Sequence, residues 1–249
     1  MGYGGASIAF IAVYGAINGA LALVPIFPYV GGGGFLPLCV VFEAIGPLIL
    51  GPIGGILAAV IGGVIGMFIS PATYPLGPVD VLLTGILPAL YVALIINADD
   101  NRYYILSLIA MIVTSVYGII WPYIWPGVAG EVWSIEFMLA GLIFWLPWLI
   151  IELTPIGKSK IPEWARMEDP KTRYLGVLLA VLMGLEFWFI PWGNVYWYIF
   201  DYSVALAIGT FIAYSWWVPT LSVITTIIAV AVVESLKRSG LPRIPRAIW

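Results

Sequence analysis

The chain alternates long, nearly uncharged apolar runs with short segments in which proline, glycine, tyrosine and tryptophan crowd together. An apolar run of about 20 residues, rising 1.5 Å per residue as a helix, crosses the roughly 30 Å hydrocarbon core of a bilayer. Reading the runs against their breakers predicts spans at about residues 6–24, 35–50, 53–69, 80–96, 103–121, 135–153, 174–190 and 203–234. The last is long for one straight span, and Trp216-Trp217-Val218-Pro219 near its middle predicts a kinked or tilted single helix. Residues 31–66, GGGGFLPLCVVFEAIGPLILGPIGGILAAVIGGVIG, are apolar yet dense in glycine and proline. That pattern predicts helices packed at backbone distance, because contact inside a bilayer must come from van der Waals fit between small residues.

Composition agrees with the pattern. The chain is 62% hydrophobic and 9% charged, with mean hydropathy +1.06, whereas about a quarter of the residues in soluble domains are charged. The expectation is therefore an all-α, polytopic transmembrane helical bundle of about eight spans, folded as a single integral membrane domain over residues 1–249. The first apolar run follows no basic segment and is read as a retained helix. Cys39 is the one cysteine, so no intramolecular disulfide is available, and the absence of histidine excludes His-ligated haem, His-rich metal centres and Ser-His-Asp catalysis. No metal site or cofactor is expected.

Charge sets the expected orientation. The ten basic residues fall in three places: Arg102; the loop with Lys158, Lys160, Arg166, Lys171 and Arg173; and the tail with Lys237, Arg238, Arg243 and Arg246. Eight spans put all three on one side, and the positive-inside rule makes that side the cytoplasm. The prediction is a multi-pass protein of the cell membrane with both termini cytoplasmic. Asp80, Glu131, Glu136, Glu186 and Asp201 then lie in the outer half without a basic neighbour, an environment that favours a neutral or cationic ligand. Asp80 and Asp201 are also placed to cap helix starts. Glu43 and Glu186 fall inside spans, where carboxylates are costly and mark functional candidates.

Three features resemble the substrate-binding S component of energy-coupling factor (ECF) vitamin transporters. In SIAFIAVYGAINGALAL, Ala12, Ala16 and Ala20 share one face, similar to the alanine stripe by which S components dock on the coupling subunit. The Gly51-Pro52-Ile53-Gly54-Gly55 turn resembles that family's cytoplasmic hairpin, and PLGPVDVLLTGILPALYVAL resembles its fourth helix with the loop before it. The resemblance covers about residues 1–100 and implies a six-span core plus two, with a divergent Trp-rich part over about 101–249. It implies a small vitamin-like solute bound from outside, an ECF-type transmembrane coupling subunit, and an ATPase pair working in trans, since the chain carries no Walker A motif. It further implies Gly31, Gly32, Gly33 and Gly34 as a gate. Tyr29, Tyr74, Trp125 and Trp133 would stack on the solute, and Glu43, Asp80 and Glu136 would accept its hydrogen bonds. On this reading the chain is not an enzyme. The residues also admit a structural or proton-handling subunit of a larger respiratory-type membrane complex, built around Glu43 and Glu186. An intramembrane enzyme has little support, because no base accompanies a nucleophile motif.

Overall fold

The structure, a computed structural model, describes residues 2–3, 5–124 and 135–249; for residues 2, 3, 121–124, 135, 136 and 138 it describes the backbone alone. Two short strands, β1 (Gly2–Tyr3) and β2 (Ala6–Ser7), precede α1 (Ile8–Leu21). A hairpin of β3 (Pro25–Pro28) and β4 (Phe35–Pro37) leads to α2 (Cys39–Ile69). Helix α3 (Pro78–Asp80), a π segment over Val81–Ile86 and α4 (Leu87–Ile95) form one continuous rod. Helices α5 (Asn101–Ile124), α6 (Ile135–Leu142), α7 (Leu146–Glu152), α8 (Ile161–Arg166), α9 (Pro170–Ile199) and α10 (Val204–Arg238) follow.

The fold is an all-α bundle, and the chain is a multi-pass membrane protein. Among the described residues five helices are long and apolar enough to cross a bilayer, and a sixth is added if the pair Leu139–Glu152 and Ile156–Arg166, bent by 76°, counts as one span. On α5, Ile105, Ile109, Ile112, Val113, Val116 and Ile120 are exposed along one face. Such a stripe is unfavourable against water and at home against acyl chains.

The expected count of eight spans differs from five or six for two physical reasons. Helix α1 has 14 residues, about 21 Å at 1.5 Å per residue, and falls short of the hydrocarbon thickness. Helix α2 has 31 residues but reverses at Gly51, whose φ of 71° and ψ of 170° lie in a region reserved for glycine. A Cβ on Gly55 would fall 2.3 Å from the Pro47 nitrogen, a contact possible only if residues 39–50 and 52–69 are two arms folded onto one another. The anticipated Gly-Pro hairpin is thus present within one nominal helix. Breaking the helix at Gly51 orphans the last carbonyls of the first arm, and the tail satisfies two of them. The Ile248 N–H donates to the Leu48 carbonyl at 2.9 Å and the Trp249 indole N–H to the Ile49 carbonyl at 2.7 Å.

Small residues set the α1–α2 contact as anticipated. Gly15 and Gly19 lie against Ile61 and Ile65, and Gly62 lies against Asn18, each with no room for a Cβ. The basic residues collect at the end of the bundle where α2 turns. There Arg166 donates to the Ile96 carbonyl and to Asn97 Oδ1, both at 2.8 Å, Arg246 pairs with Asp100, and Lys158 sits over the Tyr104 ring. Gly5 touches Pro245 at the same end.

Among the shifted boundaries, which include the split of the expected 135–153 span into Ile135–Leu142 and Leu146–Glu152, two have a plain physical cause. The expected helix over 35–50 starts at Cys39, because residues 35–37 pair with β3. The expected break at Pro191 is absent: α9 continues to Ile199 with Pro191 inside it, as membrane helices allow where neighbours re-satisfy freed backbone groups. Helix α10 is a single element containing Pro219, as anticipated.

Candidate functional site

At the end opposite the basic cluster, the β3–β4 hairpin and the 70–77 loop pack against α9. In the hairpin, Phe27 pairs with Leu36 and Pro28 with Phe35, with an irregularity between Pro25 and Phe27. Its tip turns through Gly32 and Gly33 at φ of 81° and 89°, values that glycine adopts without a Cβ penalty. The tip is held in place from the side of Phe200 and Tyr202. Tyr202 donates its hydroxyl to the Gly32 carbonyl at 3.0 Å, Gly31 lies flat on the Tyr202 ring, and Gly33 lies on Phe200. The 70–77 loop is tied to the end of α1 by Ser70 and Thr73, whose hydroxyls donate to the Ala22 carbonyl at 3.0 and 2.8 Å.

Two buried polar networks meet beneath this cap. In the first, Asp80 accepts from the Tyr196 hydroxyl, from Thr84 Oγ1 at 3.2 Å and from the Leu76 N–H at 2.7 Å. Because Tyr196 spends its proton on Asp80, the 3.3 Å contact between Tyr29 and Tyr196 has Tyr29 as donor. In the second, Tyr74 donates to Glu43 Oε1 at 3.4 Å, and the Cys39 thiol, 3.5 Å from the Tyr74 oxygen, donates to it. Asp80 and Glu43 are both wholly buried, and Glu43 Oε2 has no partner. Burial pushes the Tyr29 hydroxyl above the ordinary tyrosine range, and burial with Glu43 beside it does the same for Tyr74. Both therefore stay protonated and serve as donors.

Proline chemistry shapes the rod that carries Asp80. Within the π segment the Leu87 N–H reaches back five residues to the Leu82 carbonyl. In that register residue 88 would donate to the Leu83 carbonyl, but residue 88 is proline. The vacant carbonyl is taken by the Trp188 indole N–H at 2.6 Å. A π segment of this kind re-aims side chains locally; Thr84 lies within it and donates to Asp80, which immediately precedes it and meets Tyr196 of α9.

Aromatic rings wall the remaining side. Trp192 packs on Tyr29 at 5.1 Å, on Tyr196 at 4.7 Å and on Tyr214 at 5.4 Å between ring centroids, and Phe27 stacks on Trp217 at 4.8 Å. The indole nitrogens of Trp192 and Trp217 and the Tyr214 hydroxyl are buried without a hydrogen-bond partner. The wall thus holds unspent donors, and Glu43 an unspent acceptor.

Of the residues anticipated from the sequence, Tyr29, Glu43, Tyr74 and Asp80 come together here, and Gly31 to Gly34 form the tip above them. Asp80 does not cap its helix start: it makes no capping bond, and its carboxylate reaches instead to Leu76, Thr84 and α9. Ser203, not Asp201, caps α10, accepting from the Leu206 N–H at 3.3 Å. Trp125 and Trp133 lie outside the described residues, as does the side chain of Glu136. Ala12, Ala16 and Ala20 are exposed on α1, beside exposed Val13 and Ile17, on the face turned away from α2.

Tyr196, Trp192, Thr84 and Trp188 escaped the sequence reading. Trp192, Tyr196 and Phe200 stand four residues apart, one face of a helix. Reading Pro191 as a helix end hid that face. Among the described residues no group of three or more His, Cys, Asp or Glu side chains is placed to hold a metal ion. Comparison with protein-family models, with curated proteins and with solved structures finds no match to this chain.

Proposed function

We propose that the chain is a solute-binding membrane subunit of an ECF-type transporter, taking up a small, vitamin-like, neutral or cationic solute. The observation that carries this reading is the convergence of Tyr29, Glu43, Tyr74 and Asp80 in one buried cluster. They arrive from a hairpin, two helices and a loop, and no Lys or Arg is among the hydrogen-bond partners described for them. Two carboxylates surrounded by tyrosines and indoles suit a flat, polar solute that offers N–H or O–H groups to Glu43 and acceptors to Trp192 and Tyr214. Entry requires the glycine tip to lift from Tyr202 and Phe200. The exposed Ala12, Ala16 and Ala20 suit close docking of a partner helix, here a coupling subunit with its ATPase pair. The chain does no chemistry on its cargo. In the cell membrane the basic end, with both termini, faces the cytoplasm.

The test is purification from native membranes, with identification of copurifying subunits and mass spectrometry of small molecules released on denaturation. The proposal expects a coupling subunit with two ATPases, and a released heterocycle that Asp80→Asn protein no longer retains. Ala16→Trp should abolish the assembly and keep the heterocycle. Retention unaffected by Asp80→Asn, or assembly unaffected by Ala16→Trp, refutes the corresponding half.

A second reading has its own support. Both carboxylate oxygens of Glu152 and Oε2 of Glu186 are buried without partners, which favours a proton-handling subunit of a respiratory-type complex. Copurification with redox subunits in fixed stoichiometry would select it.

A further inference from the structure

A cavity of about 100 Å³ opens at the basic end of the bundle, between the end of α8 with the loop that follows it, the end of α10 and the tail. Arg166, Lys237 and Arg243 line it, with Glu168 as the one acid and Ile248 and Trp249 among its apolar lining. We infer that this cavity is a binding site for the phosphate group of an anionic membrane lipid.

The local charges leave room for an anion. Glu168 contacts Lys237 at 3.5 Å and Arg173 at 3.6 Å, yet its side chain is 86% exposed, so it neutralises both only weakly. Arg173 also pairs with Glu234, and Arg166 lies 3.8 Å from Asp99, which it shares with Arg246. Arg246 pairs in addition with Asp100. Arg243 has no carboxylate within ion-pair distance among the described residues. Arg173 is 1% exposed, and its Nε and Nη2 find no acceptor at hydrogen-bond distance. Three cations lining one cavity, against a single carboxylate that is itself exposed, leave positive charge that a phosphate's oxygens complete.

Depth identifies the source of the phosphate. Leu175, two residues beyond Arg173, is 43% exposed, and Met167 and Leu241 are exposed beside the lining residues Arg166, Glu168 and Arg243. The cavity therefore sits where the acyl-facing surface gives way to the basic end, at headgroup level. Basic pockets at this level, between helices on the cytoplasmic side, suit anionic lipid headgroups.

The test compares the protein in nanodiscs of phosphatidylcholine with and without phosphatidylglycerol. Retained lipid is counted by native mass spectrometry and affinity is measured by lipid titration. Wild-type protein should retain phosphatidylglycerol over phosphatidylcholine, and Lys237→Gln/Arg243→Gln should weaken that preference about 30-fold. The charge-matched control Arg102→Gln/Lys158→Gln should keep it. Should the double variant fail to fold in phosphatidylcholine, Arg243→Gln alone, at an exposed position, carries the test with a loss of about 5-fold. Equal retention of the two lipids, or equal loss in the control, overturns the site. Stabilisation by inorganic phosphate in a protein indifferent to phosphatidylglycerol overturns the lipid as its source.

Discussion

Exchanging Trp188 for phenylalanine tests the account of the rod that carries Asp80. The indole N–H at 2.6 Å is the donor that the structure gives the Leu83 carbonyl in place of the one Pro88 lacks. Trp188→Phe keeps an aromatic ring but leaves a buried carbonyl unsatisfied, at a cost of about 1–3 kcal/mol, and it adds a cavity term for the smaller ring. Pro88→Ala supplies a backbone N–H at the position from which the π register would reach Leu83. In the Pro88→Ala background the carbonyl has a second donor, so Trp188→Phe should lose only the cavity term. The two effects separate in a double-mutant cycle, because the cavity term is common to both backgrounds and cancels. The expected coupling is about 1–3 kcal/mol, read from detergent-denaturation midpoints followed by circular dichroism. Coupling below about 0.5 kcal/mol, the level at which independent sites already add, would refute the argument. The indole would then be a packing group alone.

Three further outcomes follow from particular contacts. Gly51→Ala places a Cβ 2.7 Å from the Pro245 carbonyl oxygen at φ of 71°, so it should destabilise by about 1–3 kcal/mol and release the tail to limited proteolysis; an unchanged midpoint with a protected tail contradicts the turn. Gly31→Ala puts a Cβ 2.2 Å from the Tyr202 ring, an overpacking worth about 1–3 kcal/mol, and should speed amide hydrogen exchange over residues 29–36 while leaving α2 and α9 as they were. Asp169 caps α9, and the hydrogen bond from the Thr172 hydroxyl, followed by that from the Thr172 N–H, lowers its pKa. A lowered folded-state pKa contributes stability that is complete above the ordinary aspartate value of about 3.9 and is lost as pH falls through the folded value. Asp169→Ala should therefore flatten the acid end of the stability–pH curve, and a curve unchanged below about pH 4 would show that the cap makes no titratable contribution.

How far the site was legible depends on the kind of signal each residue leaves in the sequence. Glu43 and Asp80 were found because a carboxylate in an apolar run is conspicuous whatever its partner. The Gly51 turn was found because glycine followed by proline has few uses between two apolar arms. Tyr196 and Trp192 were missed because proline is a strong breaker in water and a weak one inside a bundle, where neighbouring side chains take up the freed carbonyls. Trp188 makes the point physically. Its role exists only because Pro88, a hundred residues earlier, withdraws a donor, and neither residue announces the other. The difference in span count is one of length: α1 has 14 residues, and the two arms that meet at Gly51 belong to one nominal helix. What made the doubling visible was Gly55 lying on the Pro47 backbone. Chain reversal inside an apolar run is written in the spacing of residues without side chains, while a buried polar network is written in pairs distant along the chain. The first can be read along one sequence and the second only across a fold. That is why the hairpin and both carboxylates were anticipated, and why Tyr196 and the indoles of Trp188 and Trp192 that complete their surroundings were not.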